Sequence, residues 1–487
     1  MSQKSNITTS IIWKLLERFG VQGIQFVLQI ILARLLSPEH YGELSMMVIF
    51  ITLANVFIQN GFNTALIQNK DITEEDYSSV FWVSLGIAAI LYGIIFFAAP
   101  AIAVFYQMNN VVAPLRILAL SLFPGTLNSI QLAKVSREMD FRKVFFSSTS
   151  GILLAGIAGV VAALMGCGLW ALVIQNLLNI TTASLVMLFT VKWRPRLVCN
   201  LYRVSILFRF GWKLLMASLL DTLQQNLSGL VIGKKYNSDT LGYFNRGAQF
   251  PQFAMNSIIG AMQSVLLPAL SEKQDDPQQV KALFKNSMTV SCYIIFPMMA
   301  GLAAVSSPLI RLLLTEKWLP AMPYVQVNCF ALAFYSVHVC NLQAINAMGR
   351  SDLFLKLEIV KKIYSLVFLV IAVVCFDSPM AIAMTNVLGT GVFWFVNAFP
   401  NKKLIGFSFW EQVMDLLPLM EMAGIMYLCV LLTGYGCTLL LLPDIVTLAI
   451  QIMLGIAVFL LMSFVVKPYP YRLVLDTVSA FLKKKNR

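Results

Sequence analysis

Several ingredients of enzyme chemistry are nearly absent from this sequence. Only two histidines, His40 and His338, occur in 487 residues, which is too few for a histidine-based metal site. The eight cysteines contain no CxxC pair, and no glycine-rich loop ends in Lys-Ser or Lys-Thr. We therefore predict no catalytic residue, no metal and no cofactor, and we do not expect an enzyme.

Charged residues are also scarce, and apolar residues replace them. Only 12% of the residues are charged, 58% are hydrophobic, and the mean hydropathy is +0.76. A chain this apolar cannot hide its surface in one water-soluble core. Runs of roughly 20 apolar residues, the length that crosses a bilayer as a helix, recur along the whole chain. The composition predicts an all-α, polytopic membrane protein.

About fourteen such runs are separated by short polar breaks. The predicted transmembrane helices, one to fourteen, cover residues 11–36, 42–67, 79–106, 112–135, 144–165, 168–191, 203–233, 241–270, 282–314, 322–347, 353–376, 378–399, 413–434 and 439–466.

Basic residues are concentrated in alternate loops. They follow the even-numbered helices, at Lys134, Arg137, Arg142, Lys143, Lys192, Arg194, Arg196, Arg203, Lys402, Lys403 and the final Lys483, Lys484, Lys485 and Arg487. By the positive-inside rule this bias places both termini in the cytoplasm. The net charge of +13 is then explained by topology and by anionic membrane lipids. We expect no nucleic-acid partner.

A faint copy of the first segment recurs about two hundred residues later. The matching residues are Trp13-Lys14-Leu15-Leu16 with Trp212-Lys213-Leu214-Leu215, Gln25 with Gln224, and Gly42 with Gly242. A helix that had only to sit in lipid would not keep lysine and glutamine at matched depths. The copy predicts two related halves around a shared polar space, as in transporters.

Polar residues line one face of each of four predicted helices, within an arc of roughly 60–80° where the spacing is regular. The stripes are Lys14, Arg18, Gln22, Gln25 and Gln29 on helix one; Ser45, Thr52, Asn55, Gln59 and Asn63 on helix two; Arg209, Lys213 and Gln224, flanked by Asp221 and Ser228, on helix seven; and Asn245, Gln249, Gln252, Asn256 and Gln263 on helix eight. Because both halves present such faces, the pattern favours a lined cavity. The predicted substrate-binding residues are Lys14, Arg18, Gln22, Gln25, Gln29, Asn55, Gln59, Arg209, Lys213, Gln224, Gln249 and Asn256.

Simpler interpretations stay open for the same residues. The four basic side chains lie within the first turns of their helices, where they can extend to lipid headgroups. Amide side chains can join neighbouring helices by hydrogen bonds. Asp221 lies near the middle of its helix, so it should be paired, protonated or in water, or it could couple transport to an ion.

Three other features have local explanations. Arg116 and Arg246 lie near helix ends, where they serve as interface anchors or as cavity residues. Glu358 precedes Lys361 and Lys362 by three and four residues, a spacing that predicts a local ion-paired face.

The residue types of the stripes indicate the chemistry of a cargo. Lysine and arginine suit a phosphate or pyrophosphate, and the dense amides and hydroxyls suit a sugar. A lipid-linked oligosaccharide has both groups. A cavity for cationic drugs would instead need acidic and aromatic residues.

Several longer stretches resemble a known family. They are LARLLSPEHYGELS at 32–45, LIQNKDIT at 66–73, LPALSE at 267–272, TEKWLPAMPYVQV at 315–327 and NAMGRSDLFLKLEIVKK at 346–362. In these stretches the chain resembles the polysaccharide exporters of the multidrug/oligosaccharidyl-lipid/polysaccharide (MOP) flippase superfamily, of the colanic-acid and O-unit type. The resemblance covers nearly the whole chain.

The resemblance implies an architecture and a function. Residues 1–200 and 201–403 would form two six-helix lobes, and 404–487 two further helices with a basic tail. The family moves undecaprenyl-pyrophosphate-linked saccharides across the bacterial inner membrane, and its central cationic cavity would correspond to Lys14, Arg18, Arg209 and Lys213. Membrane lipids and polysaccharide-assembly proteins such as a polymerase are the expected partners of a monomer. A drug/cation antiporter of the same superfamily and a membrane glycosyltransferase or polymerase are the alternatives.

Overall fold

The structure is a computed structural model, and it describes residue 13 and residues 20–59, 62–69 and 71–473. Every regular element in these ranges is a helix, which confirms the predicted all-α class. Long apolar segments form helices here because a helix satisfies its own backbone hydrogen bonds, as a bilayer requires.

The first nine α-helices occupy the first half of the chain. They are α1 (Gln22–Leu35), α2 (Pro38–Gln59), α3 (Asn63–Gln68), α4 (Glu74–Tyr106), α5 (Val112–Ala119), α6 (Leu122–Glu138), α7 (Phe141–Leu164), α8 (Leu169–Thr190) and α9 (Leu201–Lys235), with a short 3-10 helix at Asn109–Val111. Thr73 begins α4 with a capping box: its side chain accepts the amide of Asp76, and Asp76 accepts the amide of Thr73.

The second half continues the helical pattern. It contains α10 (Ser238–Ser271), α11 (Pro277–Ala304), α12 (Ser306–Leu314), α13 (Met322–Ala333), α14 (Tyr335–Ala347), α15 (Ser351–Cys375), α16 (Pro379–Leu404), α17 (Phe409–Leu439) and α18 (Asp444–Val466), with a 3-10 helix at Glu316–Ala321. Ser408 begins α17 with a second capping box, formed with Glu411.

Ten helical segments in the described ranges are long and apolar enough to cross a membrane. They are Pro38–Gln68, Glu74–Tyr106, Phe141–Leu164, Leu169–Thr190, Ser238–Ser271, Pro277–Ala304, Glu316–Ala347, Pro379–Leu404, Phe409–Leu439 and Asp444–Val466. The long helices α9 and α15 are not among them: α15 carries several charged residues within its apolar sequence, and the middle of α9 combines Asp221 with the amides of Gln224, Gln225 and Asn226. The total of fourteen spans stays a prediction.

Some predicted single helices are interrupted. The run 112–135 is divided between α5 and α6, which are separated by Leu120 and Ser121, and the run 322–347 is divided at Phe334. The run 282–314 is divided at Val305. Hydrophobicity predicts which segment is long enough to cross the bilayer, but it does not predict where the helix is interrupted within that segment.

The chain divides into two compact units, residues 1–242 and 243–487. Within the first unit, α9 packs along α2, and α7 and α8 form a close antiparallel pair. Helix α9 therefore belongs by its contacts to the first unit, while the lobe boundaries expected from the resemblance, 1–200, 201–403 and 404–487, stay predictions.

Two glycines make the closest helix contact in the first unit. A Cβ atom added to Gly42 would lie 1.7 Å from the carbonyl oxygen of Ser238, and one added to Gly242 would lie 2.2 Å from the carbonyl oxygen of Pro38. Each glycine thus packs against the first residue of the other helix: Gly42 of α2 against Ser238 of α10, and Gly242 of α10 against Pro38 of α2. These are the same two glycines that the sequence copy pairs, so the repeat is expressed as a reciprocal crossing of two helix N-termini.

Candidate functional site

The structure describes most of the predicted cavity residues, but not all of them. Lys14 and Arg18 lie outside the described residues. On α1, the side chain of Gln25 is exposed and those of Gln22 and Gln29 are half-buried. Helix α1 packs against α7 of the same unit, and its residues Val27 and Ile31 are exposed like Gln25.

Two hydroxyls of the polar stripe on helix two form hydrogen bonds within their own helix. The hydroxyls of Ser45 and Thr52 donate to carbonyls one turn earlier in α2, those of Tyr41 and Val48. Such a bond satisfies the hydroxyl's donor within its own helix, and the hydroxyl oxygen can still accept a hydrogen bond.

Asn63 shows the same principle between helices. Its amide donates to the Ser129 hydroxyl at 2.7 Å, and that hydroxyl is 3.0 Å from Asn63 Oδ1. This pair joins α3 to α6, so for Asn63 the interpretation as interhelical glue is the one that its contacts support. Further along the stripe, Gln59 donates to Asn55 Oδ1 at 3.5 Å, and both side chains are half-buried.

Helix α9 carries the exposed charges of the predicted site. The side chains of Arg209, Lys213 and Asp221 are all exposed, while Gln224 is half-buried. Exposed cations on a largely apolar helix are the groups that an anionic ligand would meet first. The assignment of these residues to a substrate site stays a prediction.

In the second unit, helix α10 bears Gln249 and Asn256. Gln249 accepts a hydrogen bond from Arg246 on the preceding turn, and Asn256 is exposed. Arg246 is only 6% exposed and lies over the Trp318 ring, 5.5 Å from its centroid. Arg246 therefore packs between an amide and an aromatic ring inside this unit. The spacing of the polar stripe did not predict this contact.

A polar cluster that the stripes did not reveal fastens one end of the first unit. Asp76 is 2% exposed and accepts two hydrogen bonds from Arg203, at 2.9 Å to Oδ1 and 2.8 Å to Oδ2. Lys134 pairs with Glu74 beside it. Arg137 donates to the carbonyls of Leu66 and Asn69. Together these contacts join α3, α4, α6 and α9 through their ends.

Replacing Asp76 by alanine is expected to destabilise this end strongly. The change removes the α4 capping box and leaves Arg203 without its bidentate partner. We expect the melting temperature of the purified protein to fall by roughly 5 °C or more. Glu75→Gln is the matched control, because Glu75 lies in the same helical turn and is exposed. Equal melting temperatures for the two variants would contradict the structural role of Asp76.

Two cavities have contrasting linings. In the first unit, a pocket of about 310 Å³ lies between α3 and α9 against Gln68, Asn69 and Ile206. In the second unit, an open pocket of about 450 Å³ lies between α10, α11, α17 and α18, and its walls are apolar apart from Gln451. Within the described ranges, no group of three or more His, Cys, Asp or Glu side chains could hold a metal ion.

The fold is shared with solved membrane transporters. The lipid II flippase MurJ in an inward closed conformation superposes with a TM-score of 0.77 over 96% of this chain and 100% of that chain, at 14% identity. An inward-facing multidrug resistance MATE family transporter of the MOP superfamily gives 0.61 over 80% of this chain and 98% of that chain, at 15% identity. The chain thus has the polytopic helical fold of these solved transporters.

The sequence comparisons assign the family within this class. The model of a family described as "Polysaccharide biosynthesis protein" matches residues 31–323, and the chain belongs to that family. The chain is 24% identical over 430 residues to the lipopolysaccharide biosynthesis protein WzxC of Escherichia coli, covering 85% of each. It is also 27% identical over 319 residues to the succinoglycan biosynthesis transport protein ExoT of Rhizobium meliloti, covering 65% of this chain and 64% of the relative. A further relative is the teichuronic acid biosynthesis protein TuaB of Bacillus subtilis, 24% identical over 343 residues, with 70% of this chain and 71% of the relative covered.

Proposed function

We propose that this protein flips an undecaprenyl-pyrophosphate-linked oligosaccharide repeat unit from the cytoplasmic to the outer face of a bacterial inner membrane. The observation that carries the proposal is the match of residues 31–323 to the polysaccharide biosynthesis family. The similarity to WzxC over 85% of both chains supports it, as does the MOP transporter fold. Alternating access between the two faces is the mechanism that such folds use.

The residues supply the chemistry that this substrate needs. Exposed Arg209 and Lys213 are suited to the pyrophosphate, and the half-buried amides of Gln22 and Gln224 are suited to sugar hydroxyls. The cationic residues would act by electrostatic attraction and hydrogen bonding, with no covalent step.

Neutralising Arg209 and Lys213 together tests this proposal. In a flippase-deficient strain, R209Q/K213Q is expected to lower surface polysaccharide by about tenfold or more, because each charge-assisted contact to phosphate is worth about 1.5–3 kcal/mol. K402Q/K403Q is the matched control, since those two exposed lysines end α16 and lie outside the predicted site. Membrane levels of all variants are measured by immunoblot.

The outcomes separate the candidate functions. Normal polysaccharide in R209Q/K213Q would remove these residues from the site. K14Q/R18Q tests the other half of the sequence copy by the same assay. A drug/cation antiporter would leave the glycan unchanged on deletion and alter drug susceptibility instead, so both phenotypes are scored in parallel.

A further inference from the structure

The connection between α8 and α9 has a defined shape although it forms no regular element. It covers residues 191–200, and its first part is anchored in the first unit by Val191 and Trp193, which are 1% and 2% exposed. The centroids of the Trp193 ring and the Phe81 ring on α4 are 6.2 Å apart. Arg194 donates to the carbonyls of Val191 and Trp193, at 2.6 Å and 2.9 Å. These contacts fix the path of the backbone.

Helix α4 also holds the second part of the connection. The Ser78 hydroxyl accepts a hydrogen bond from the amide of Arg196 at 3.2 Å, and the Trp82 indole donates to the carbonyl of the same residue at 2.7 Å. The Ser79 hydroxyl accepts a hydrogen bond from the amide of Asn200 at 2.9 Å. These bonds use backbone groups of the connection, so they leave the Arg196 side chain unoccupied.

The other side of this fixed backbone presents apolar and basic side chains together. Six exposed residues form a surface that we name the basic-apolar patch: Lys192, Arg196, Leu197, Val198, Leu201 and Tyr202. Leu197 is 90% exposed, and Tyr202, in the first turn of α9, is 74% exposed. Exposed apolar groups that are this close together mark a site of contact with another protein or with a membrane.

The charges of the patch have no acidic counterpart in the surrounding chain. No aspartate or glutamate occurs between Asp140 and Asp221. Among the residues that the structure describes, neither Lys192 nor Arg196 forms an ion pair or a side-chain hydrogen bond. The partner of the patch must therefore offer negative charge as well as apolar surface.

We propose that the basic-apolar patch binds anionic phospholipid. The connection directly follows the candidate membrane span Leu169–Thr190, so the patch lies at the level where a span ends. At this level a leaflet offers phosphate groups to Lys192 and Arg196, and acyl chains to Leu197. The Tyr202 ring has the amphipathic character of residues at the membrane–water interface. The positive-inside rule predicts that this leaflet is the cytoplasmic one.

Lipid bound at the patch would hold the start of α9 at the membrane surface. Arg203 directly follows the patch and forms two hydrogen bonds with the buried Asp76 of α4. The patch is thus joined to both α4 and α9, and α9 is the helix that carries Arg209 and Lys213. The lipid site does not depend on the transport function proposed above.

Cys199 provides a labelling position inside this surface. Of the eight cysteines, only Cys167, Cys199 and Cys375 are exposed. In C167S/C375S, an environment-sensitive fluorophore on Cys199 reports the polarity at the patch of the full-length protein in liposomes. We expect its emission to shift to shorter wavelength when phosphatidylglycerol is added to phosphatidylcholine vesicles. High salt should reverse the shift, because it screens charges at the membrane surface.

Neutralising the two unpaired cations tests the electrostatic part of the site. K192Q/R196Q in the same labelled protein should need about tenfold more phosphatidylglycerol for the same shift, because each basic residue near an anionic surface contributes to binding. Both side chains are exposed and the Asp76–Arg203 pair stays intact, so the variant should fold. Its melting temperature checks this.

The loop between α7 and α8 provides the matched control. In C199S/C375S the fluorophore is attached to Cys167, which is exposed in the uncharged loop 165–168 and should not respond to phosphatidylglycerol. An unchanged spectrum at Cys199 would overturn the lipid site and favour a protein partner instead. An equal shift at Cys167, or an equal lipid requirement in K192Q/R196Q, would also overturn it.

Discussion

Replacing Gly42 by alanine is expected to abolish transport, although alanine normally stabilises a helix relative to glycine by about 1 kcal/mol. The added Cβ would lie 1.7 Å from the carbonyl oxygen of Ser238. A backbone oxygen cannot rotate away as a side chain would, so the N-termini of α2 and α10 would have to separate. We expect surface polysaccharide in a complemented flippase-deficient strain to fall by about tenfold or more, since a contact this short costs more than the roughly 1.4 kcal/mol that a tenfold change represents.

The control for this variant is a glycine without near neighbours. Gly86→Ala in α4 would place its Cβ in open space, so it should retain transport and protein level. Gly242→Ala is the reciprocal variant, with its Cβ 2.2 Å from the Pro38 carbonyl oxygen, and should reproduce the Gly42 phenotype. Wild-type transport by Gly42→Ala would show that transport does not require the close contact between the N-termini of α2 and α10.

Replacing Gln412 by alanine is expected to have the largest effect on stability. Gln412 is fully buried in the first turns of α17, where its Oε1 accepts from Trp394 and Asn341 and its Nε2 donates to Asn341. Truncation would leave buried donors on both neighbours without partners and open a cavity. We expect a loss of about 2–4 kcal/mol in the free energy of unfolding.

Thermal unfolding of the purified protein measures this loss. Gln274→Ala removes the same chemical group from an exposed turn and is expected to leave the melting temperature unchanged. If Gln412→Ala and Gln274→Ala had the same melting temperature, the buried amide cluster of Gln412, Asn341 and Asn401 would contribute no net stability. The cluster joins α14, α16 and α17, so its loss should also lower the yield of folded protein.

The polar stripes illustrate how far a helical period can predict function. The spacing predicted which residues share a face of one helix, because that depends only on the period of 3.6 residues. The structure places Ser45 to Gln59 on α2 but Asn63 on α3, so the predicted stripe on helix two does not lie on one helix. The spacing could not tell Asn63, which is bonded to Ser129, from Gln25, which is exposed. The partner of Asn63 lies 66 residues further along the chain. Only the packing of α3 against α6 brings the two together.

The charged residues give the same lesson with a larger consequence. The spacing of Glu358 and Lys361 predicted their ion pair from one helix alone. It gave no sign that His338, a lone histidine in another apolar run, would lie 3.5 Å from the lysine. The bidentate pair of Asp76 with Arg203 was missed for the same reason, since 127 residues separate the two.

By itself, the sequence determined the membrane as the solvent, the helical class, the internal copy and the family. These properties follow from composition, from local period and from motifs, each of which is written within a short stretch of chain. Tertiary structure alone decided which amides bind neighbouring helices, which charges are buried together, and that Gly42 and Gly242 mark a reciprocal crossing. In a bilayer every helix is apolar on most sides, so hydrophobicity does not specify its neighbours, and close packing and rare polar contacts must do so.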